Sequence, residues 1–108
     1  MNKYRTHNCN ELRKKDLDKD ISISGWINKK RDHGNLLFID LRDNYGITQC
    51  IIDKENKNFL ELEKTQLETV IKIQGKVINR SNETINKDIE TGEIEVVINK
   101  FEILGTCK

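Results

Sequence analysis

Residues 24–53 read SGWINKKRDHGNLLFIDLRDNYGITQCIID, and this stretch decides the fold. Apolar and polar residues alternate along three runs within it, which is the period of strands with one buried face. The segments Asp32–Asn35 and Asp43–Gly46 are turn signals between these runs and predict two hairpins. The stretch therefore predicts a three-stranded antiparallel meander.

The alternation also assigns the residues of each run to one face of the sheet. The core face of the second run holds three aliphatic residues, Leu37, Ile39 and Leu41. Phe38 then lies on the open face, and Gln49 in the third run has the same outward parity. Gly25, inside the first run, predicts a bulge or a sharp bend, which a small barrel needs in order to close.

The sequence after residue 53 predicts a helix and two further strands. Between Lys54 and Leu67 the apolar spacing is nearer 3.6 than 2, which indicates a helix. A fourth strand follows around Ile71–Val77, and residues 79–91 are polar and predict a loop.

The fifth run, Ile94–Leu104, predicts the last strand. It contains a shift of phase near Asn99 or Lys100, after which Phe101 and Ile103 are expected to return to the core.

Three strands, a helix and two more strands is the order of an OB fold. We therefore predict an all-β fold with one short helix: a five-stranded Greek-key barrel in which the helix lies between strands 3 and 4. A β-grasp or SH3-like barrel shares some of these pieces but does not place a helix so naturally after the meander. We expect a single domain over residues 1–108, in which residues 1–20 form an N-terminal extension with a short helix or turn at Cys9–Lys15.

Composition limits the class of function. The chain has 108 residues, of which 34% are charged, yet its formal net charge is only +1. This balance gives no global attraction to nucleic acid, so any affinity for RNA must come from a local patch. The cysteines form no CxxC pair, neither histidine completes a zinc site, and no run is apolar enough for a leader or a membrane span. We therefore expect a cytoplasmic protein with reduced thiols.

The sequence holds no recognisable catalytic set. It contains no phosphate loop of the G-x-x-x-x-G-K type, no nucleophile with a base at readable spacing and no metal cluster. We therefore expect a domain that binds rather than catalyses, with no cofactor of its own.

One side of the predicted barrel carries residues suited to single-stranded nucleic acid, which OB folds commonly bind there. A cationic cluster lies beside that side: Lys29, Lys30, Arg31 and Arg42. Phe38 would stack on a base, or else pack beneath the N-terminal segment or a partner domain. The amide of Gln49 can read a base edge, and Glu95 can accept a hydrogen bond from guanine, although a lone glutamate such as Glu95 is far more often a solvated charge on a strand.

The quoted stretch resembles the N-terminal domain of bacterial aspartyl-tRNA synthetases. It fits the pattern SGWV-x-x-x-RD-x-G-x-x-x-FIDLRD-x-x-G-x-x-Q with one conservative change, Ile27 for Val. The opening YRTHNC-x-x-LR and the later INKDIETGEIEV fit the same family, so the resemblance covers residues 4–104. Parts of the pattern recur in asparaginyl and lysyl relatives, whereas the opening and the TGEIEV ending are more specific to the bacterial aspartyl branch.

The resemblance implies an OB domain that reads the anticodon of tRNA(Asp), with neither DNA nor a membrane as partner. Phe38 would stack on the central uracil and Gln49 would hydrogen-bond its edge. The positions that match the pocket for the flanking bases are Arg31, Asn86 and Glu95, with Lys29 nearby. The resemblance also implies a longer, homodimeric enzyme that joins aspartate to tRNA with ATP and magnesium in a separate class II catalytic domain.

Two positions bear on tRNA selectivity. His33, in RD-H-G, resembles the family members that charge both tRNA(Asp) and tRNA(Asn), and Thr84 falls in a loop that varies between these groups. The anticodons GUC and GUU differ only in the third base, so charging of both needs only a pocket that tolerates C and U. Two alternatives to anticodon reading stay open: a stand-alone OB module for single-stranded nucleic acid, and a sheet-edge interaction domain without an RNA role.

Overall fold

The computed structural model describes residues 9, 12–32, 34–80, 85, 86, 89 and 91–105. The strands are β1 (Asp20–Asp32), β2 (Leu36–Arg42), β3 (Ile47–Asp53), β4 (Val70–Asn79) and β5 (Ile94–Gly105). A short 3-10 helix at Lys14–Asp16 precedes β1, and helix α1 (Phe59–Lys64) lies between β3 and β4.

The strands close into a barrel in the order β1-β2-β3-β5-β4, which confirms the predicted OB fold. Strand β1 is long enough to pair with two neighbours, β4 along residues 20–26 and β2 along residues 26–32. Strands β3 and β5 close the ring in parallel over two residue pairs, Cys50 with Val96 and Ile51 with Val97. The other four pairings are antiparallel.

The predicted alternation of faces is confirmed in the core. The fully buried strand residues include Ile23, Ile39, Leu41, Ile52, Ile73, Val77 and Val96. Along β5 the register skips Asn99, since Ile98 pairs with Gly75 and Lys100 with Gln74, so the predicted shift of phase is confirmed. Phe101 packs against the core after this shift. The prediction for Ile103 is wrong: it is 46% exposed because it lies at the rim of the barrel beside the end of α1.

Helix α1 is shorter than the pattern between Lys54 and Leu67 predicts. Hydrogen bonds from the backbone to side chains form turns just before the helix. Asp53 Oδ1 accepts one from the Glu55 N–H at 2.8 Å, and Asn56 Oδ1 accepts one from the Asn58 N–H at 2.8 Å. These local bonds compete with helical ones. Two side chains of the helix, Phe59 and Leu62, face the core, whereas the apolar residues Leu60 and Leu67 are exposed.

The extension before β1 is tied to the barrel at Cys9 and Leu12, both of which are buried. The Cys9 N–H donates to Asp43 Oδ2 at 2.9 Å, and Thr48 Oγ1 donates to the Cys9 carbonyl at 2.8 Å. The predicted helix or turn at Cys9–Lys15 overlaps the 3-10 helix at Lys14–Asp16, and its residues 10 and 11 lie outside the described residues. Within the described residues no helix has the length and apolar character needed to cross a bilayer.

The bulge in β1 lies at Asn28 rather than at Gly25, since the pairing with β2 shifts between Ile27 and Lys29. Gly25 instead allows β1 and β2 to approach each other closely, because a Cβ there would lie 2.3 Å from the carbonyl oxygen of Arg42 on β2. The bulge inserts one extra residue, so the side chains after it change face. Lys29 and Arg31 therefore lie opposite the outward residues of β2, whereas Lys30 lies opposite Ile39 of the core.

Candidate nucleic-acid interface

An open pocket of about 510 Å3 lies on the outward side of β1, β2 and β3. The loop before β5 borders it through Asn86 and Ile89. Most residues of the predicted RNA-binding set line it: Lys29, Arg31, Phe38, Gln49 and Asn86. Glu95, the last member of that set, is hydrogen-bonded to Gln49. The barrel thus brings together side chains from five separate parts of the chain: β1, β2, β3, the loop before β5, and β5.

A row of polar side chains crosses β1, β2, β3 and β5 at the base of this pocket. The Arg31 guanidinium donates to both oxygens of Asp40, at 3.0 and 3.1 Å. Arg31 Nη2 also donates to Gln49 Oε1 at 2.8 Å, and Gln49 Nε2 donates to Glu95 Oε1 at 2.7 Å. The row fixes the geometry of these groups before any ligand is present.

Gln49 and Glu95 have the outward parity that the sequence predicts, but they are not open surface residues. Gln49 is 3% exposed and Glu95 is 7% exposed. The alternative of a solvated strand charge is therefore wrong for Glu95, and the outward parity of Gln49 does not make it an exposed residue, because the two side chains are hydrogen-bonded to each other across β3 and β5. Gln49 still lines the pocket. Phe38 is only half-buried, and its ring lines the pocket.

Arg80, directly after β4, is a site residue that the sequence pattern does not single out. It lines the pocket, is 7% exposed and donates from Nε to the carbonyl oxygen of Ile94 at 3.0 Å. Burial raises the pKa of the Glu95 carboxyl, although the hydrogen bond from Gln49 and the charge of Arg80 act in the opposite direction. Burial likewise lowers the pKa of Arg80, against the attraction of Glu95 and Asp40. The attraction between Arg80 and Glu95 thus offsets part of the free energy that burying the two charges costs.

The predicted cationic cluster is divided by the β1 bulge. Lys30 Nζ donates to the carbonyl oxygens of Glu63, at 2.7 Å, and Thr65, so it binds the C-terminal end of α1. The prediction that Lys30 belongs to the cationic cluster at the RNA-binding side is therefore wrong. Lys29 is exposed at the pocket, and Arg42 is exposed in an adjoining cleft that shares Ile47 and Ile89 with the pocket.

The loop that carries Asn86 is anchored by Thr91 and Gly92. Thr91 Oγ1 donates to the carbonyl oxygen of Ile47 on β3, and the Asn86 N–H donates to the carbonyl oxygen of Gly92 at 3.0 Å. A Cβ on Gly92 would lie 1.5 Å from the Asn86 carbonyl oxygen, so this approach requires glycine. The contacts of Thr91 and Gly92 thus hold Asn86 beside the pocket.

Two predicted selectivity residues, His33 and Thr84, lie outside the described residues. Among the residues that the structure describes, no three His, Cys, Asp or Glu side chains are grouped so that they could hold a metal ion.

The pocket combines an aromatic face, an amide with fixed orientation and cationic groups. An aromatic face stacks on any base, and an amide or carboxylate distinguishes bases by their edges. Cations such as Lys29 neutralise backbone phosphates. This combination suits a few unstacked nucleotides of a single strand.

Comparisons with known proteins agree with this chemistry. The family model described as OB-fold nucleic acid binding domain matches residues 21–104. The Aspartate--tRNA(Asp/Asn) ligase of Pelagibacter ubique is 73% identical over 108 residues, which are 100% of this chain and 18% of that protein. The enzyme of the same name from Wolbachia sp. subsp. Drosophila simulans is 50% identical over 103 residues, 95% of this chain and 17% of that protein.

Solved structures show the same fold. Aspartyl tRNA synthetase from Entamoeba histolytica superposes with a TM-score of 0.80 at 21% identity, over 93% of this chain and 21% of that one. The chain spans less than a fifth of the length of the two curated relatives.

Proposed function

Since the chain belongs to the family of OB-fold nucleic acid binding domains that bind tRNA anticodons, we propose that it reads the anticodon GUC of tRNA(Asp) for an aspartate–tRNA ligase. Phe38 stacks on the central uracil, and Gln49 hydrogen-bonds its edge. Arg31, Asn86 and Glu95 serve the flanking bases, and Lys29 neutralises a nearby phosphate.

The observation that carries this proposal is the convergence of Phe38 and Gln49 on one pocket, with Arg31 and Asn86 on its walls. A sequence-tolerant binding module needs stacking faces and cations along a groove. Here the polar groups are instead hydrogen-bonded in one fixed row, which suits the reading of particular base edges.

We extend the proposal to the anticodon GUU of tRNA(Asn). Both relatives carry tRNA(Asp/Asn) in their names. In this proposal His33 and Thr84 are the residues that bear on whether either C or U is accepted as the third base. The full-length enzyme would charge both tRNAs at comparable rates, and a strong preference for tRNA(Asp) would contradict this extension.

The activity of the whole protein is part of the same proposal. In it, residues 1–108 form the anticodon-binding domain of a longer chain, whose separate class II domain joins aspartate to tRNA with ATP and magnesium. The long enzyme would act as a cytoplasmic homodimer. This domain contributes recognition, and none of the proposed roles of its residues involves ATP or a metal.

The direct test compares RNA hairpins of identical stem. Fluorescence anisotropy at one fixed salt concentration would measure the Kd of the 108-residue chain for a GUC loop and for a loop with the same bases scrambled. We expect clearly tighter binding of the GUC loop. Equal affinities would favour the stand-alone single-strand module, and no binding of either loop would favour an interaction domain without RNA.

Phe38 provides a variant for the same assay. Phe38→Leu keeps an apolar side chain but removes the ring, and a lost stack of roughly 1–3 kcal/mol weakens binding by about fivefold to 150-fold. Phe38→Tyr keeps the ring and should retain most of the affinity. If Phe38→Leu binds as tightly as the wild type, Phe38 packs for stability alone.

A further inference from the structure

The side-chain amide of Gln49 is held between a pure donor and a pure acceptor. Its Oε1 accepts from Arg31 Nη2 at 2.8 Å, and its Nε2 donates to Glu95 Oε1 at 2.7 Å. A guanidinium has donors and no acceptor, whereas an ionised carboxylate has acceptors and no donor. A flip of the amide by 180° would therefore set donor against donor and acceptor against acceptor.

Asp40 holds the arginine in this arrangement. Both of its oxygens accept from Arg31, and Asp40 lies directly opposite Gln49 in the pairing of β2 with β3. The forked contact fixes the plane of the guanidinium, so that Nη2, one of the two nitrogens of the fork, also lies beside the Gln49 carbonyl. Asp40 thus acts on the amide through Arg31 rather than by direct contact.

The amide keeps hydrogen-bonding capacity for a ligand. A carbonyl oxygen has two lone pairs and an NH2 group has two hydrogens, and the polar row uses one of each. Gln49 therefore presents one acceptor and one donor side by side, in an order that the row determines.

This order matters because uracil and cytosine reverse it. At ring positions 4 and 3 uracil presents an acceptor and then a donor, whereas cytosine presents a donor and then an acceptor. An amide that rotates freely matches either base by flipping. An amide of fixed direction matches one of them in a given pose and opposes the other.

We propose that Asp40 is a positioning residue for base selectivity: with Arg31 and Glu95 it fixes the direction of the Gln49 amide, and this direction distinguishes uracil from cytosine at the central anticodon position. The inference rests on the proposed function, in which Gln49 reads that base. It assigns a role in specificity to a carboxylate that need not touch the RNA.

The test measures a ratio of affinities. The Kd values for hairpins with GUC and GCC loops would be compared for the wild type, Asp40→Asn and the matched control Asp20→Asn, which removes the same charge at the exposed start of β1. The wild type should prefer GUC by roughly tenfold or more. Asp40→Asn should lower that ratio by roughly two- to tenfold, the worth of one ordinary hydrogen bond, whereas Asp20→Asn should leave it unchanged.

The outcomes separate the inference from the proposed function. A wild type without preference for GUC contradicts the proposed function. A wild-type preference that Asp40→Asn retains in full contradicts this inference alone, as does an equal loss of affinity for both loops, which indicates a merely structural role. If Asp40→Asn fails to fold, Arg31→Lys keeps the positive charge without the fork and should lower the same ratio; an unchanged ratio there overturns the inference.

Discussion

At the scale of single residues, the neighbours Lys29 and Lys30 show how one bulge divides two identical side chains between different tasks. Lys29 is exposed at the pocket, whereas Lys30 binds the C-terminal carbonyls of α1. Burial lowers the pKa of Lys30, although Glu63 acts in the opposite direction. Methionine keeps the aliphatic stem of lysine without its charge. A Lys→Met substitution therefore removes the charge of Lys29 at the pocket or that of Lys30 at the end of α1, one at a time.

We expect the two variants to have opposite profiles. Lys29→Met should leave the free energy of unfolding within about 0.5 kcal/mol of wild type and should reduce the slope of log affinity against log salt by roughly 0.7, the value for one phosphate contact on a single strand. Lys30→Met should lower the free energy of unfolding by about 1–3 kcal/mol with the salt slope unchanged. Urea denaturation and salt titrations measure the two quantities, and matching profiles for both variants would contradict this division.

Glu95 links the site to pH. A carboxyl whose pKa is raised by folding binds its proton more tightly in the native state, so its ionisation costs stability. This cost is absent below the pKa of an unfolded glutamate, about 4.3, and develops as pH rises through the interval between the unfolded and folded pKa values.

Glu95→Gln removes this dependence. We therefore expect the free energy of unfolding of the variant, minus that of wild type, to increase as pH rises from about 4.3 towards neutrality. Urea titrations at several pH values would measure it. Glu93→Gln, which removes the same charge from an exposed side chain, is the matched control. A difference that falls with pH would contradict the prediction.

At the scale of elements, strands were predictable and the shape of their connections was not. The alternation of apolar and polar residues predicts all five strands, because each strand has one buried face. The helix between Lys54 and Leu67 was overextended, because the turns at Asp53 and Asn56 depend on side-chain bonds that periodicity does not contain. Gly25 predicts a bulge or a sharp bend, yet the bulge of β1 lies at Asn28, since a bulge depends on the pairing of two strands and not on one glycine.

Parity likewise predicted part of the candidate site. It placed Phe38, Gln49 and Glu95 on the open side, where they are found. It could not give the burial of Gln49 and Glu95, which depends on side chains from other strands. The sequence pattern does not predict Arg80 as a site residue, because it follows β4 in a polar stretch without periodicity, where an arginine has no distinguishing signal.

The loop before β5 permits a test at this scale. Gly92→Ala would place a methyl group 1.5 Å from the Asn86 carbonyl oxygen, so the loop must move. We expect a loss of about 1–3 kcal/mol in stability and roughly two- to tenfold weaker binding of a GUC hairpin, because Asn86 leaves its place. Gly105→Ala meets no atom within 4 Å and should change neither quantity. A Gly92→Ala variant with wild-type affinity would remove Asn86 from the site.

At the scale of the whole molecule, barrel closure creates the candidate site. Gln49 and Glu95 are 46 positions apart in the chain, yet their side chains are in hydrogen-bond contact. The formal charge of +1 gives no long-range attraction, so encounter with RNA depends on the local cations at the pocket. Recognition is therefore a property of the closed ring, and no single strand carries it.

The short parallel pairing of β3 with β5 has a consequence for motion. Two residue pairs hold the strands together there, and the Gln49–Glu95 bond spans the same junction one residue earlier. Transient opening of the barrel should begin at this junction, so the backbone amides that bond between β3 and β5 should exchange with deuterium sooner than those in the middle of β2. A base clasped by Gln49 would slow that exchange most at this junction, whereas uniform slowing across the sheet would contradict the idea. The nucleotide would then act as a latch on the junction through which the ring would otherwise open.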